Sequence, residues 1–89
     1  MLEDLAVLCR YAGFRYKLVA GKIHIIQTSC GVWYLHTDKK PYELEHRQRW
    51  GESAGHRHHQ KTRFFTEWQA FLYIKNHDAA AYKRNRKGD

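Results

Sequence analysis

Apolar residues open the chain at helical spacing, at Leu2, Leu5, Leu8, Cys9 and Ala12, with Glu3 and Asp4 in the first turn and Gly13 just past the last of them. Acidic groups complement the positive end of a helix dipole, and glycine takes the left-handed conformation that ends a helix. The pattern predicts a helix over about residues 2–12. The period then changes from 3.6 to 2. FRYKLVAGKIHIIQT is rich in β-formers, with Phe14, Tyr16 and Leu18 on one face. Ala20-Gly21 is expected to serve as a two-residue hairpin turn, which sets Ile23 and Ile25 on the matching face of the second strand. SCG breaks the next connection. GVWYLHT predicts a third strand, with Val32, Tyr34 and His36 on one side and Trp33 and Leu35 on the other. After the turn DKKP, PYELEH puts Tyr42, Leu44 and His46 together and Glu43 and Glu45 outward.

Residues 47–55, RQRWGESAG, read as a polar loop or extended hairpin tip, and HRHHQKTRFF as a fifth strand that sets His56 and His58 on one face. Thr66 then opens a second helix. TEWQ is a capping box, in which Thr66 caps the helix and Gln69 reaches back. Trp68, Phe71, Leu72 and Ile74 form its apolar face toward the sheet, Trp33 and Trp68 are expected in the core, and either the helix continues through Ala79 and Tyr82 or Asp78 caps a fresh turn. The order is α-β-β-β-(β/β)-α. It predicts a single α+β domain over residues 1–82, an antiparallel sheet of three to five strands flanked by an N-terminal and a C-terminal helix. Residues 83–89 form a basic tail with nothing to bury, expected to fray.

Composition adds a partner to this picture. Among 89 residues the net charge is +7. Residues 1–45 carry six Lys or Arg against five Asp or Glu, whereas residues 46–89 carry ten against four. Such asymmetry is the footprint of a polyanion partner, most often nucleic acid. Three Trp, six Tyr and four Phe argue for a packed core. The two cysteines, Cys9 and Cys30, are too few for a disulfide framework and are expected to be reduced thiols. MLEDLAVLCRYAG is acidic at its start, with too short an apolar run for a signal peptide, and no stretch approaches a membrane span. A soluble, cytoplasmic protein without a membrane partner is the expectation.

The opening segment carries a resemblance. A short helix ending in Tyr11-Ala12-Gly13-Phe14, a strand, the turn glycine Gly21 and the strand KIHII resemble, over about residues 2–26, the start of HicA-type mRNA interferases. That resemblance implies the α-β-β-β-α topology of double-stranded-RNA-binding domains. The family's catalytic His falls two residues after the turn glycine; this chain has Ile23 there, with His24 one place later. The last helix starts Thr66-Glu67-Trp68, where double-stranded-RNA-binding domains have a lysine-rich N-terminus.

The segment 46–63, HRQRWGESAGHRHHQKTR, concentrates the remaining candidate chemistry: four of the seven histidines and five basic residues. As a zinc site it offers His56 and His58 from one strand face, His46 opposite and His59 nearby. No ligand-spacing rule supports that set, and Arg57 and Lys61 would repel a dication. As a catalytic site it offers histidines for acid–base cleavage of RNA and Arg47, Arg57 or Lys61 for the transition-state charge, with no motif to fix their geometry. As a polyanion surface it needs least. Arg47, Arg49, Arg57, Lys61 and Arg63, with Lys83, Arg84, Arg86 and Lys87 of the tail, are the expected phosphate contacts. Trp50 is the expected stacking residue.

The sequence therefore points to a small, basic, non-enzymatic regulatory protein that binds RNA or single-stranded DNA, without a cofactor. The competing class is a protein-interaction module or inhibitor, encoded by a phage or mobile element, that docks on an acidic protein surface or a nucleoprotein as anti-CRISPR proteins do. A His-dependent ribonuclease and a zinc-binding module rank below both. Exposed sheet edges leave room for a homodimer.

Overall fold

The computed structural model describes residues 4–48 and 56–87, with side chains as far as Ala80. The elements run α1 (Leu5–Ala12), β1 (Arg15–Val19), β2 (Ile23–Thr28), β3 (Gly31–His36), β4 (Glu43–Gln48), β5 (Arg57–His59) and α2 (Glu67–Lys87). The five strands form one antiparallel sheet in sequence order. Both helices lie on the same side of it. This is the α+β domain the hydrophobic pattern implies, with the fifth strand formed.

Local chemistry explains the ends of the helices. Asp4 stands outside α1 as its cap, accepting from the Ala6 N–H at 3.2 Å. That is a different role from the first-turn residue the sequence suggested. Gly13 ends the helix at φ 79°, where glycine is free of the Cβ penalty. At the start of α2, the Gln69 N–H donates to Thr66 Oγ1 at 3.1 Å, and Gln69 Oε1 accepts from the Phe65 N–H at 3.0 Å. The capping box is therefore present, reaching one residue further back than Thr66 itself. The helical backbone then continues without a break to Lys87, into the segment read as a tail. Asp78 opens no new turn. Its carboxylate accepts from Thr28 Oγ1 at 2.5 Å and Ser29 Oγ at 3.3 Å, fastening α2 to the β2–β3 turn.

The core lies between the sheet and the helices. Leu5, Leu8 and Cys9 of α1 meet Ile26, Trp33, Leu35 and Leu44 of the sheet, Phe64, and Ala70, Phe71 and Ile74 of α2. Trp33, read as core, is fully buried. Trp68, read as core with it, is 39% exposed, and Leu72 is 37% exposed. The buried stripe of α2 runs through Ala70, Phe71 and Ile74, and at 3.6 residues per turn Trp68 and Leu72 fall off its edge. Cys9 and Cys30 form no disulfide and are both buried, and burial pushes the Cys9 thiol up to about 12.

One register differs from the sequence reading. Ala20 and Gly21 both have positive φ and are closed by the Lys22 N–H to the Val19 carbonyl, as a two-residue turn requires. Strand pairing resumes only at Val19↔Ile23, so Lys22 is an extra residue in the connection. Its carbonyl is held by the Thr37 N–H at 2.9 Å. A shift of one residue exchanges the two faces of a strand. Ile23 and Ile25 therefore stand opposite Val19 and Lys17, on the side away from the helices, and His24 and Ile26 point inward.

Gly31 fixes the other end of the sheet. Its φ is 140°, and a Cβ there would lie 2.2 Å from the Arg47 carbonyl oxygen of β4. Gly21 has open space around the equivalent position. Gly31→Ala should lower unfolding stability by about 2–3 kcal/mol, through backbone strain and a clash with main chain that has no rotamer to move. Gly21→Ala should cost only about 1 kcal/mol. Urea denaturation of the two variants measures the difference; equal midpoints would refute this role for Gly31.

Candidate nucleic-acid interface on the uncovered sheet face

Both helices cover one side of the sheet, and among the described residues no element covers the other face. Strand alternation decides what stands there, and the registers align it in rows. Nearest the β2–β3 turn, one row reads Arg15, Gln27, Val32, Arg47, Arg57 from β1 to β5. The next reads Lys17, Ile25, Tyr34, Glu45, His59, and the third Val19, Ile23, His36, Glu43. At a strand spacing of about 4.8 Å the first row spans roughly 19 Å. It carries three arginines and no acid.

Arg47 and Arg57 are direct cross-strand partners, and both are exposed. Like charges set opposite one another destabilise a strand pair. Among the described residues neither arginine forms an ion pair with a carboxylate. Arg57 instead reaches over β4 and lays its guanidinium on the ring of Tyr34, 3.5 Å from carbon to ring centroid. This keeps Tyr34 only 7% exposed. Beside the pair, Gln27, Thr28, Gly31, Val32, Arg47 and Gln48 line an open cleft of about 430 Å³.

The acids of this face are occupied elsewhere. Glu45 accepts from His36 Nε2 at 2.6 Å and lies 3.8 Å from His59 Nε2. Glu43 pairs with Arg63, whose guanidinium also donates to the carbonyls of Gln60 and Lys61. Arg63 was expected on phosphate; its donors instead tie down the loop that follows β5. Lys61 is exposed. Arg49 and Trp50 lie outside the described residues, as do the side chains of Lys83, Arg84, Arg86 and Lys87. Of the basic residues singled out in the sequence, the open face of the sheet carries Arg47 and Arg57. It adds Arg15, Lys17 and Tyr34, which the sequence placed on strands without marking them as a site.

The histidines of segment 46–63 are dispersed. His58 stands opposite His46 on the helix side of the sheet, and His59 points to the open face. His56 precedes β5 and is exposed. His46 is only 3% exposed and stacks on Trp33, centroids 3.7 Å apart and planes 8° apart. His77 of α2 meets both rings edge-on, at 5.0 Å from Trp33 and 5.3 Å from His46. Among the described residues no group of three or more His, Cys, Asp and Glu is arranged to hold a metal. His24, adjacent to the position at which the interferase resemblance implies a catalyst, is buried and bonded at both nitrogens. Tyr16 Oη lies 2.6 Å from its Nδ1, and Thr37 Oγ1 3.0 Å from its Nε2.

The fold and face define a class, a one-sided α+β sheet domain with a basic open surface. No known protein-family model matches the chain, and no curated protein or solved structure matches it either. Among the described residues no helix is long and apolar enough to cross a membrane.

Burial leaves His46 neutral. Desolvation, then the neighbouring His77, pushes its pKa down to about 4, against the opposing pull of the Cys30 backbone and Asp78. Burial also lowers the pKa of His24. In the unfolded chain these imidazoles titrate near 6.5, so below that pH the unfolded state binds more protons. The contribution of His46 is fully present above pH 6.5 and is lost as pH falls towards 4, on the order of 3 kcal/mol in all. His46→Phe keeps a flat ring on Trp33 and removes the titration. Urea midpoints measured from pH 7 to 4 should fall steeply for the native protein and much less for the variant; parallel curves would exclude His46 as the group responsible.

Proposed function

We propose that this protein binds nucleic acid on the uncovered face of its sheet, as a non-enzymatic module. The observation that carries the proposal is the cross-strand pair Arg47 and Arg57, at the end of a row that begins at Arg15 and includes no carboxylate. Two cations set together without an acid raise each other's energy, and a polyanion relieves both at once. Phosphate contacts of this kind bind through charge and counterion release, independently of sequence. Lys17 in the adjacent row and Gln27 in the cleft supply further donors towards phosphate, sugar or base edges.

Fluorescence anisotropy of labelled single- and double-stranded RNA and DNA, titrated at several salt concentrations, tests the reading. A linear plot of log affinity against log salt, with a slope of several phosphates, is the expected result. Arg47→Ala and Arg57→Ala should each weaken binding to every sequence and lower the slope by about one. Arg10→Ala, on α1 across the sheet, removes the same charge and should leave the slope unchanged. Absence of binding at low salt would refute the function, and equal losses from all three substitutions would refute the location.

A further inference from the structure

We infer that Tyr34 and Arg57 form a preassembled stacking site for an unpaired base, so that the ligand of this face is single-stranded nucleic acid. The inference rests on the nucleic-acid reading above and narrows it. At 3.5 Å, the guanidinium carbon lies over the Tyr34 ring at the contact distance of two flat groups. Such an approach requires the guanidinium plane to lie along the ring, since an edge-on guanidinium would drive its N–H hydrogens into the π-face. One side of the plane is thus covered by tyrosine, and the residue as a whole is exposed. A guanidinium plane is a surface on which unpaired bases stack, and the tyrosine beneath holds it flat before the ligand arrives.

The surroundings supply the rest of a nucleotide's needs. Arg47, directly opposite Arg57 and free of ion pairs among the described residues, stands where the phosphate attached to a stacked base would fall. The adjoining cleft of about 430 Å³, with Gln27 in its wall, is of a size to admit a neighbouring nucleotide and offers an amide for its base edge. Duplexes do not meet these terms. Their base faces are already covered by their neighbours, and only phosphates and groove edges remain accessible to a flat sheet. A single strand can turn its bases onto the protein while its phosphates follow the basic row.

Arg57→Lys tests this, because it keeps the charge and removes the plane. Arg57 is exposed on a short outer strand, so the variant should fold; an unchanged melting curve verifies that. Its affinity for a short unpaired oligonucleotide should fall about tenfold, the scale of one lost stacking contact, with an unchanged salt slope. Its affinity for duplex should remain that of the native protein. In the native protein, the Arg57 Nε–H resonance should move upfield on adding the oligonucleotide, in the ring current of the stacked base. If the lysine variant binds single strands as tightly as the native protein, or the native protein prefers duplex, the stacking site is refuted while nucleic-acid binding stands. If the native protein binds no nucleic acid at low salt, both readings fall together.

Discussion

Everything on the open face follows from the stack of His46 on Trp33 at the centre of the sheet. Trp33 has no exposed surface; His46 covers one face of its indole, and His77 and Tyr73 meet it edge-on. A strand has a period of two, so pinning these two rings inward turns Val32, Tyr34, Glu45 and Arg47 outward. Pairing of His46 with His58 carries the constraint to β5 and turns Arg57 and His59 outward as well. A slip of one residue would bury Arg47 or Glu45 in the core. The close approach of Gly31 to the Arg47 carbonyl secures the same register from the strand end.

The one-sided architecture then separates two kinds of chemistry. Towards the helices, two buried polar side chains are answered within the protein, His24 between Tyr16 and Thr37 and Thr28 on Asp78, whereas Trp33 Nε1 and His46 Nε2 are buried without a hydrogen-bond partner among the described residues. Burial also drives the Tyr16 phenol, the hydrogen-bonding partner of His24, up to about 12. Away from the helices, charges are only partly compensated. Carboxylates on β4 are taken up by His36, His59 and Arg63, none of which belongs to the first row. The arginines of that row are left to one another and to Tyr34. An antiparallel sheet tolerates such a wet face, on which Ile25 and Val32 are half-buried.

Folding also redistributes the histidines into distinct roles. In the chain, His46, His56, His58 and His59 form a cluster suggestive of a metal or an acid–base site. In the structure, His46 is a neutral core ring, His59 faces Glu45 and His56 precedes the strand. Adjacent residues on a strand point to opposite faces, so His58 and His59 were separated as soon as β5 formed. Proximity in sequence was a poor guide here because the strand period works against it.

The sequence by itself determined the elements, their order, the Gly13 end of α1, the Thr66 capping box of α2 and the inward alternation of Trp33, Leu35, Leu44 and His46, because these depend on local propensity and a period of 2 or 3.6. It also located Arg47 and Arg57 as basic residues of interest. It misassigned Ile23 and Ile25 because β2 carries isoleucine on both faces, so only the length of the β1–β2 connection could set the register. It placed Trp68 in the core because a broad apolar helix does not say which of its edges meets the sheet. Tertiary structure alone decided that both helices share one side, that Arg15 lines up with Arg47 and Arg57 across five strands, and that Arg57 lies on Tyr34. Those relations join residues far apart in the chain, and they exist only once the strands are paired and one face is buried.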